Sequence, residues 1–417
     1  MATICPVIDQ HAEEAAFLWL SRDGAVRAPH YRLWELAKLD NRVDAHLDGL
    51  RIAGNPGWDI AKAQLEAGEG GETFVATVLS GESGDEERIQ AVLELGSASE
   101  DRVRGLISGL GWVHSNEALQ LARVAMNKKA PVFRRIVVAV AAIHRVNPGE
   151  ELLQTLLDDP DLTVQARTAK AIGELGIVNL VSSLSAKLTV EDPACRFAAA
   201  WSIGLLNGAP GALTQLRRVV EEGSLFAPKA LQLVLRRMPL ADANRWLASL
   251  VQQDKAVLRS AVVGTGVTGD PKWVPFLLEQ MSNKQVTQVA GEAFSMLTGV
   301  DLAYQDLDLS PPEDSGAGPT EDPEDPNVAM DPDENLPWPD PARIQAWWNK
   351  NGSAFSPGTK YLVGKPITLE WLAEVLKSGR QRQRAAAALE LAILQPGKPL
   401  FNVCAPGFRQ QHWLSGK

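Results

Sequence analysis

The chain has 417 residues, of which 45% are hydrophobic, and this is enough to build an extended core. Cys5, Cys195 and Cys404 lie far apart, so the sequence predicts neither a disulfide framework nor a zinc knuckle. The first ten residues do not resemble a secretory signal, and no apolar run is long enough to span a membrane. We therefore expect a cytoplasmic protein.

The formal net charge of −10 is distributed unevenly along the chain. Residues 1–300 carry 30 Lys and Arg against 35 Asp and Glu, and residues 301–340 carry 13 acids and no Lys or Arg. Residues 341–417 carry 11 bases against 3 acids, which makes this end of the chain basic. The asymmetry predicts an acidic segment between a weakly acidic region and a basic one.

Residues 1–69 are predicted to form a helical N-terminal cap. Apolar residues at helical spacing run from residue 33 to residue 52. The tetrapeptide Gly54-Asn55-Pro56-Gly57 is a typical place for that helix to end. Because the terminal unit of a repeat array needs a polar outer face, we interpret this region as a cap.

Residues 70–303 repeat with a period of 31 residues. One set of equivalent positions is apolar almost throughout, and it consists of Leu79, Leu110, Ala141, Ile172, Ile203, Val234, Thr265 and Met296. Each unit contains two short helical patterns, and the second ends at a glycine such as Gly176. Two short helices cannot bury their apolar faces alone, whereas stacked pairs can. The sequence therefore predicts an all-α fold, an α-solenoid of about seven two-helix repeats.

The second helices of these units carry a resemblance to a known type of repeat. The segments are Val-Gln-Ala-Arg-Thr-Ala-Lys-Ala-Ile-Gly-Glu-Leu-Gly at 164–176 and Cys-Arg-Phe-Ala-Ala-Ala-Trp-Ser-Ile-Gly-Leu-Leu at 195–206. They resemble the second helix of HEAT-like repeats, and the resemblance covers a little over half of the chain. It implies a fold and no particular activity, because one fold carries many functions.

The remaining chain divides into two predicted parts. Residues 304–340 are predicted to be an acidic, proline-rich linker, because prolines alternate with acids and little apolar surface is left to bury. Residues 341–417 are predicted to be a small, basic and mostly helical C-terminal module. Its helices are expected to start at Asp340-Pro341 and at Thr368, and a third is expected from Gly379 to Leu394.

Short motifs near both ends of the chain carry a second resemblance. They are the segment 39–54, Leu336-Pro-Trp-Pro-Asp-Pro, Tyr361-Leu-Val-Gly-Lys-Pro-Ile-Thr368, Gly379-Arg-Gln-Arg-Gln-Arg384 and Pro399-Leu-Phe. The motifs are similar to those of an uncharacterised family of bacterial HEAT-like repeat proteins, often encoded beside type VI secretion components. The resemblance implies an accessory role in secretion and no catalytic residue.

No pattern in the sequence predicts catalysis, a cofactor or a metal. The segment 264–269 matches GxGxxG, but a dinucleotide site needs a preceding strand, and here the glycines close a helix. The six histidines form no HExxH motif, and no known nucleophile motif is present. We therefore expect a protein that is not an enzyme and has no cofactor-binding or metal-binding residues.

A row of positions on the second helices is chemically mixed where neighbouring rows are apolar, so we expect it to face outward. Together with the row four residues on, its prominent members are Arg104, Arg135, Lys170, Phe197, Trp201 and Arg259. Arg, Trp and Phe often anchor protein interfaces, and Trp201 in particular is predicted to contact a partner. The alternative is a half-buried face on which Arg stems and rings cover the core.

A second candidate surface contains Arg380, Arg382 and Arg384 at the start of a predicted helix. Cations there are not favoured by the helix dipole, so an acidic partner, or the acidic linker itself, is the expected counterpart. The alternative is a solvated first turn whose alanine-rich face packs inward.

The leading hypothesis is a non-catalytic scaffold or adaptor that binds a protein, an accessory component of a bacterial type VI secretion system without membrane association. The alternative is a nucleic-acid-binding HEAT-like protein, such as a base-excision enzyme. Only the basic C-terminal module supports it, since phosphate binding needs clustered cations. A lyase or a cofactor chaperone would rest on fold analogy alone.

Overall fold

The computed structural model describes residues 5–252, 257–312, 331 and 333–415. Within these residues the structure is predominantly helical, and two antiparallel pairs of two-residue strands are its β-structure. In the same ranges, no helix combines the length and the apolar character needed to cross a membrane. The predicted all-α class is confirmed.

The helices follow the chain in pairs over most of its length. Their bounds are α1 Cys5–Ala25, α2 Leu33–Ala53, α3 Asn55–Ala67, α4 Gly70–Ser83, α5 Glu86–Gly96, α6 Glu100–Trp112, α7 Ser115–Met126, α8 Pro131–His144, α9 Glu150–Leu157, α10 Leu162–Leu175, α11 Val181–Ala186, α12 Pro193–Leu206, α13 Pro210–Glu221, α14 Ala227–Arg237, α15 Leu240–Val251, α16 Leu258–Thr268, α17 Val274–Gln280, α18 Thr287–Thr298, α19 Pro341–Asn351, α20 Leu369–Ser378, α21 Gln381–Leu394 and α22 Gly407–Leu414. The strands are β1 Asp308–Leu309, β2 Trp338–Pro339, β3 Tyr361–Leu362 and β4 Lys365–Pro366.

The described residues form two compact units. The first unit holds the residues up to Arg27, Tyr31–Leu206 and those from Pro396 onward, and the second holds Ala28–His30 and Asn207–Gln395. These boundaries differ from the predicted ones, because the repeat region 70–303 is divided after Leu206 and the C-terminal module 341–417 is divided after Gln395.

Stacked helix pairs carry the 31-residue period in both units. In the first unit α4, α6, α8, α10 and α12 pack in succession, and in the second α14, α16 and α18 do the same. The apolar positions of the period are their contact surface, since Leu110, Ile172 and Ile203 in the first unit and Val234 in the second are fully buried. The structure thus has the stacked two-helix repeats that the period predicts.

Local signals place the helix ends correctly. Asp340 accepts hydrogen bonds from the backbone N–H groups at the start of α19, and Thr368 caps α20 in the same way. Gly176 ends α10 in the left-handed conformation, with φ of 74°. The glycines of the GxGxxG segment lie in and after α16, where a Cβ on Gly266 would come within 2.8 Å of Ala293 Cα. Close helix packing explains the motif.

Both flanks of the predicted linker pack against the second unit. Strands β1 and β2 pair with each other, and Leu307, Asp333 and Leu336 are buried. Gln288 on α18 donates hydrogen bonds to the carbonyl oxygens of Asp333 and Leu336. The prediction of a linker over 304–340 is therefore wrong at its flanks, because their few apolar side chains suffice to dock them. Residues 313–330 and 332 lie outside the described residues.

The segment from α19 to β4 docks onto the last repeat of the second unit through aromatic rings. The ring of Phe294 on α18 lies 5.8 Å from that of Trp347 and 6.2 Å from that of Trp348, between centroids. Phe355 continues the cluster and contacts both Trp348 and Tyr361. Such edge-on and tilted contacts add to the apolar burial of the rings.

Candidate protein-binding surface

Two residues of the predicted outward row are buried. Phe197 and Trp201 on α12 are only 7% and 8% exposed. The expectation that they face outward is wrong, and the sequence explains why, because no charged residue occurs from Phe197 to Leu206. A helix that is apolar on all sides is covered on all sides.

Arg104, another member of the row, is half-exposed on α6 and fastened to α1. Its guanidinium group bonds Asp23 at 3.0 Å and Asp101 at 2.8 Å, and it lies 5.4 Å from the centroid of the Trp19 ring. Trp19 in turn donates a hydrogen bond from Nε1 to Ser108 Oγ at 2.7 Å. These contacts fix the orientation of Arg104 while part of its side chain stays accessible.

Exposed apolar side chains lie on α1, the helix that supplies Trp19 and Asp23 to Arg104. Phe17 and Leu20 on α1 are 63% and 50% exposed, whereas Leu18 and Trp19 between them are buried. Leu20 precedes Asp23 by three residues, so it lies one helical turn from the Arg104 ion pair. We use the name α1 surface for Phe17, Leu20, Asp23, Asp101 and Arg104.

Sequence reasoning missed Phe17 and Leu20, although a signal for them exists. Residues 17–20 are four consecutive apolar residues on a helix, and successive side chains on a helix point in directions about 100° apart. A core on one side can bury only part of such a run, so the rest must face outward. The row of 31-residue equivalents does not reach this helix, so the repeat pattern gives no indication of these two residues.

Arg135 and Lys170, the other cations of the row in the first unit, are paired with acids. Arg135 bonds Glu100, which neighbours Asp101 in the first turn of α6, at 2.9 Å. Lys170 lies 3.4 Å from Glu174 on α10. The first turn of α6 therefore links Arg104 and Arg135, while Lys170 belongs to a separate cluster.

Glu174 is the centre of that cluster. Arg167 lies 3.0 Å from its carboxylate, and Arg145 adds a further positive charge nearby. Burial acts to raise the pKa of Glu174, but Arg167, Lys170 and Arg145 outweigh it and lower the pKa to about 2. The carboxylate is thus held in its charged form and neutralises part of an otherwise cationic site.

The Glu174 cluster predicts a pH-dependent loss of stability in Glu174→Gln. Because the pKa in the folded state is below the usual value of 4.5, the ionised group stabilises the fold above pH 4.5. This contribution disappears as the pH falls towards 2. We expect Glu174→Gln to lower the free energy of unfolding by roughly 3 kcal/mol at pH 7 and by less than half of that at pH 3. Urea denaturation of the variant and the wild type at both pH values measures the loss in free energy of unfolding.

The matched control for this prediction is Glu151→Gln, because Glu151 is an exposed carboxylate on α9 of the same unit. We expect this variant to unfold like the wild type at pH 7 and at pH 3. Equal losses for Glu174→Gln at the two pH values would show that the side chain contributes by packing and not by charge.

The cations predicted in the second unit bind acids of that unit. Arg380 bonds Asp301 at 2.8 Å, and Arg382 bonds Glu292 at 2.6 Å and approaches Asp333 to 3.4 Å. Asp333 also binds Arg259. The expected acidic counterpart of Arg382 therefore includes a residue of the predicted linker. These side chains are engaged within the unit, which weakens the support for a nucleic-acid partner.

Arg384 is not part of any exposed surface. Its side chain is fully buried between α20 and α21, where Nε donates a hydrogen bond to the carbonyl oxygen of Leu376 at 2.7 Å. A further bond joins it to Gln381. The prediction that Arg384 lies on a partner-binding surface is therefore wrong. Alternating Arg and Gln residues are typical of a solvated first turn, and the sequence does not show which of them is buried.

Potential metal ligands are not clustered in the described ranges. Among those residues no group of three or more His, Cys, Asp or Glu could hold a metal ion. Cys195 is buried on α12, and burial and the neighbouring Asp192 raise the pKa of its thiol to about 12. A thiol with that pKa stays protonated at neutral pH and is a poor nucleophile.

Comparison with known proteins supports the repeat architecture. A family model described as HEAT repeats matches residues 149–226, a range that begins just before α9 and ends after α13. A search of curated proteins finds no match to the chain. HEAT repeats commonly mediate protein–protein interactions as scaffolds. With this match and the stacked helix pairs, the chain is an all-α solenoid of HEAT-like repeats.

Proposed function

We propose that this chain is a non-catalytic scaffold or adaptor whose α1 surface binds another protein. The observation that carries the proposal is the combination of exposed Phe17 and Leu20 with Arg104, which is held in place by Trp19 and Asp23. Aromatic side chains and Arg are enriched at the centres of protein interfaces. The surrounding carboxylates offer hydrogen-bond acceptors to the rim of such an interface.

Rigidity of α1 favours this surface as a binding site. Trp19 is buried, stacks on the ring of Phe74 with 5.8 Å between centroids, and bonds Ser108 on α6. Phe17 and Leu20 project from the same helix, so their positions are set before a partner arrives. Preorganisation of this kind lowers the entropy cost of binding.

The setting that we propose is a bacterial type VI secretion system, with the complex forming in the cytoplasm. Support comes from the motifs at both ends of the chain that resemble the HEAT-like family encoded beside type VI components. The partner would then be a secretion component or an effector. This part of the proposal is independent of which surface binds.

Removal of the two exposed apolar side chains tests the binding surface. Phe17→Ala combined with Leu20→Ala is expected to weaken partner capture about thirtyfold, because loss of a hot-spot anchor costs about 2 kcal/mol or more. The thermal midpoint should stay close to that of the wild type, since both side chains are exposed. Affinity purification with the tagged chain from its native bacterium, quantified by mass spectrometry, measures the effect.

The matched control is Ile52→Ala on α2, which removes an apolar side chain that is 87% exposed elsewhere in the first unit. Its capture profile should equal that of the wild type. Retention of every captured protein by the Phe17/Leu20 variant would overturn the α1 surface as the binding site. If the captured proteins are unchanged in a strain lacking the secretion genes, the type VI setting is wrong and the scaffold function stands.

A further inference from the structure

The C-terminal segment of the first unit crosses the ends of three successive second helices. The backbone N–H of Leu400 donates to the carbonyl oxygen of Glu174 at the end of α10, at 2.9 Å. The side-chain amide of Asn402 donates a hydrogen bond to the backbone carbonyl oxygen of Ile143 at the end of α8, at 3.3 Å. Arg409 reaches the end of α6, where its guanidinium group donates to three carbonyl oxygens at 2.8–2.9 Å, those of Gly111, Trp112 and Val113.

Helix ends explain why this segment binds there. The last carbonyl groups of a helix have no partner within the helix, and the helix dipole makes that end negative. Repeats stack their second helices side by side, so these acceptors recur along one edge of the unit at every repeat. The segment supplies a hydrogen-bond donor to each of the three helices. The positive charge of Arg409 lies at the C-terminal end of α6, where the helix dipole favours a cation.

A buried carboxylate holds the start of α22 at one end of this edge. Asp40 on α2 accepts hydrogen bonds from the backbone N–H of Gly407 at 2.5 Å and from Arg22 Nε at 2.6 Å. Arg22 also donates to the carbonyl oxygen of Cys404 at 3.0 Å. A charged acceptor and a charged donor therefore both contact the backbone of the segment.

The second unit uses the same contact with an unrelated sequence. Lys360 Nζ donates to the carbonyl oxygens of Arg236 and Met238 at and just after the end of α14. The backbone N–H groups of residues 361, 363 and 364 donate to carbonyl oxygens of Gly269, Met296 and Leu297, at or next to the ends of α16 and α18. The two segments share amide donors on a non-helical stretch and a cationic side chain, which is Lys360 in the second unit and Arg409 on α22 in the first. No shared residue pattern is needed.

The two segments differ in how firmly they are held. In the second unit Tyr361 and Leu362 are buried, and Tyr361 belongs to the aromatic cluster. In the first unit residues 396–399 are exposed and no side chain from 396 to 404 is buried. Burial in that segment begins at Ala405, so polar contacts hold residues 396–404, whereas α22 also packs on α2 and places Phe408 against the Trp112 ring. Because polar contacts exchange readily with water, this segment is the one that can leave.

We propose that the edge formed by the C-terminal ends of α6, α8 and α10, together with Asp40, is a binding site for a peptide in which a non-helical stretch with amide donors leads into a short helix that carries a cationic side chain. Residues 396–415 occupy this site in the free protein as its ligand in cis. A partner segment of the same chemistry would compete for the same acceptors. The site is separate from the α1 surface, and it does not depend on the function proposed for that surface.

A cut between Gln395 and Pro396 turns the segment into a separable ligand. A recognition sequence for a site-specific protease is inserted there in the full chain, where residues 396–399 are exposed. After cleavage we expect the C-terminal fragment to co-elute with the rest of the chain in gel filtration. A fluorescent synthetic peptide of residues 396–417 should then exchange into the cleaved protein, which its fluorescence anisotropy reports.

Variants of the peptide identify the contacts. Arg409→Ala should weaken binding on the order of a hundredfold, because three charge-assisted hydrogen bonds to carbonyl oxygens are lost. Asn402→Ala should weaken it less, because a single neutral hydrogen bond from the peptide to the rest of the unit is lost. The matched control is Gln411→Ala on the exposed face of α22, which should bind like the native peptide.

Three outcomes would overturn the proposal. Immediate separation of the fragment at micromolar protein would show that the edge is not a binding site. Unfolding of the cleaved protein, seen by circular dichroism, or a fragment that never exchanges, would make the segment a fixed part of the fold. Equal binding of the Arg409→Ala and Gln411→Ala peptides would show that the site does not recognise its ligand through the carbonyl groups at the helix ends.

Discussion

Ile203→Asp is expected to lower the free energy of unfolding by on the order of 3–5 kcal/mol. Ile203 lies on α12, which packs along α10 and α11 in the first unit, and its side chain has no exposed surface. An aspartate at this position would have to be desolvated or protonated, and it would also leave part of the isoleucine volume empty. Chemical denaturation followed by circular dichroism at pH 7 measures the loss.

The control for this substitution is Ile52→Asp, which introduces the same charge at a highly exposed isoleucine of the first unit. We expect its stability to stay within about 0.5 kcal/mol of the wild type. An unchanged unfolding midpoint for Ile203→Asp would mean that the 31-residue phase is misassigned at α12. The magnitude follows from burial alone and does not depend on any partner.

Arg384→Ala is expected to destabilise the second unit by roughly 3 kcal/mol. The substitution leaves the carbonyl oxygen of Leu376 without the donor that Arg384 Nε supplies, and it opens a cavity between α20 and α21. Arg384→Lys keeps the charge but not the planar fork of donors, so it should recover only part of the loss. Thermal unfolding of the full chain, monitored by tryptophan fluorescence, is a suitable measurement.

Lys377→Ala is the matched control, because Lys377 is an exposed cation on α20 of the same unit. Its removal should change stability by less than about 0.5 kcal/mol. If Arg384→Ala behaves like Lys377→Ala, then Arg384 is solvated, as expected of an exposed first turn. A large loss would confirm that this arginine holds α20 and α21 together and is not available to a partner.

Much of the fold was determined locally, and the sequence alone was sufficient for it. Each repeat buries its apolar residues between two helices, so apolar residues recur every 31 positions. Leu110, Ile172 and Ile203 are buried, as that period predicts. Helix ends depend on neighbours only a few residues away, which is why Gly176 and Thr368 mark them correctly.

The tertiary structure alone decided which surfaces and charges remain available. A repeat period does not say which of its faces non-repeating segments cover, so Trp201 is buried while Phe17 is exposed. Ion pairing depends on residues far apart in the chain, such as Arg382 and Asp333, 49 positions apart. Arg409 meets its acceptor Gly111 across 298 positions. Such contacts form only when the tertiary fold brings distant segments together, and no local pattern of residue types specifies which segments meet.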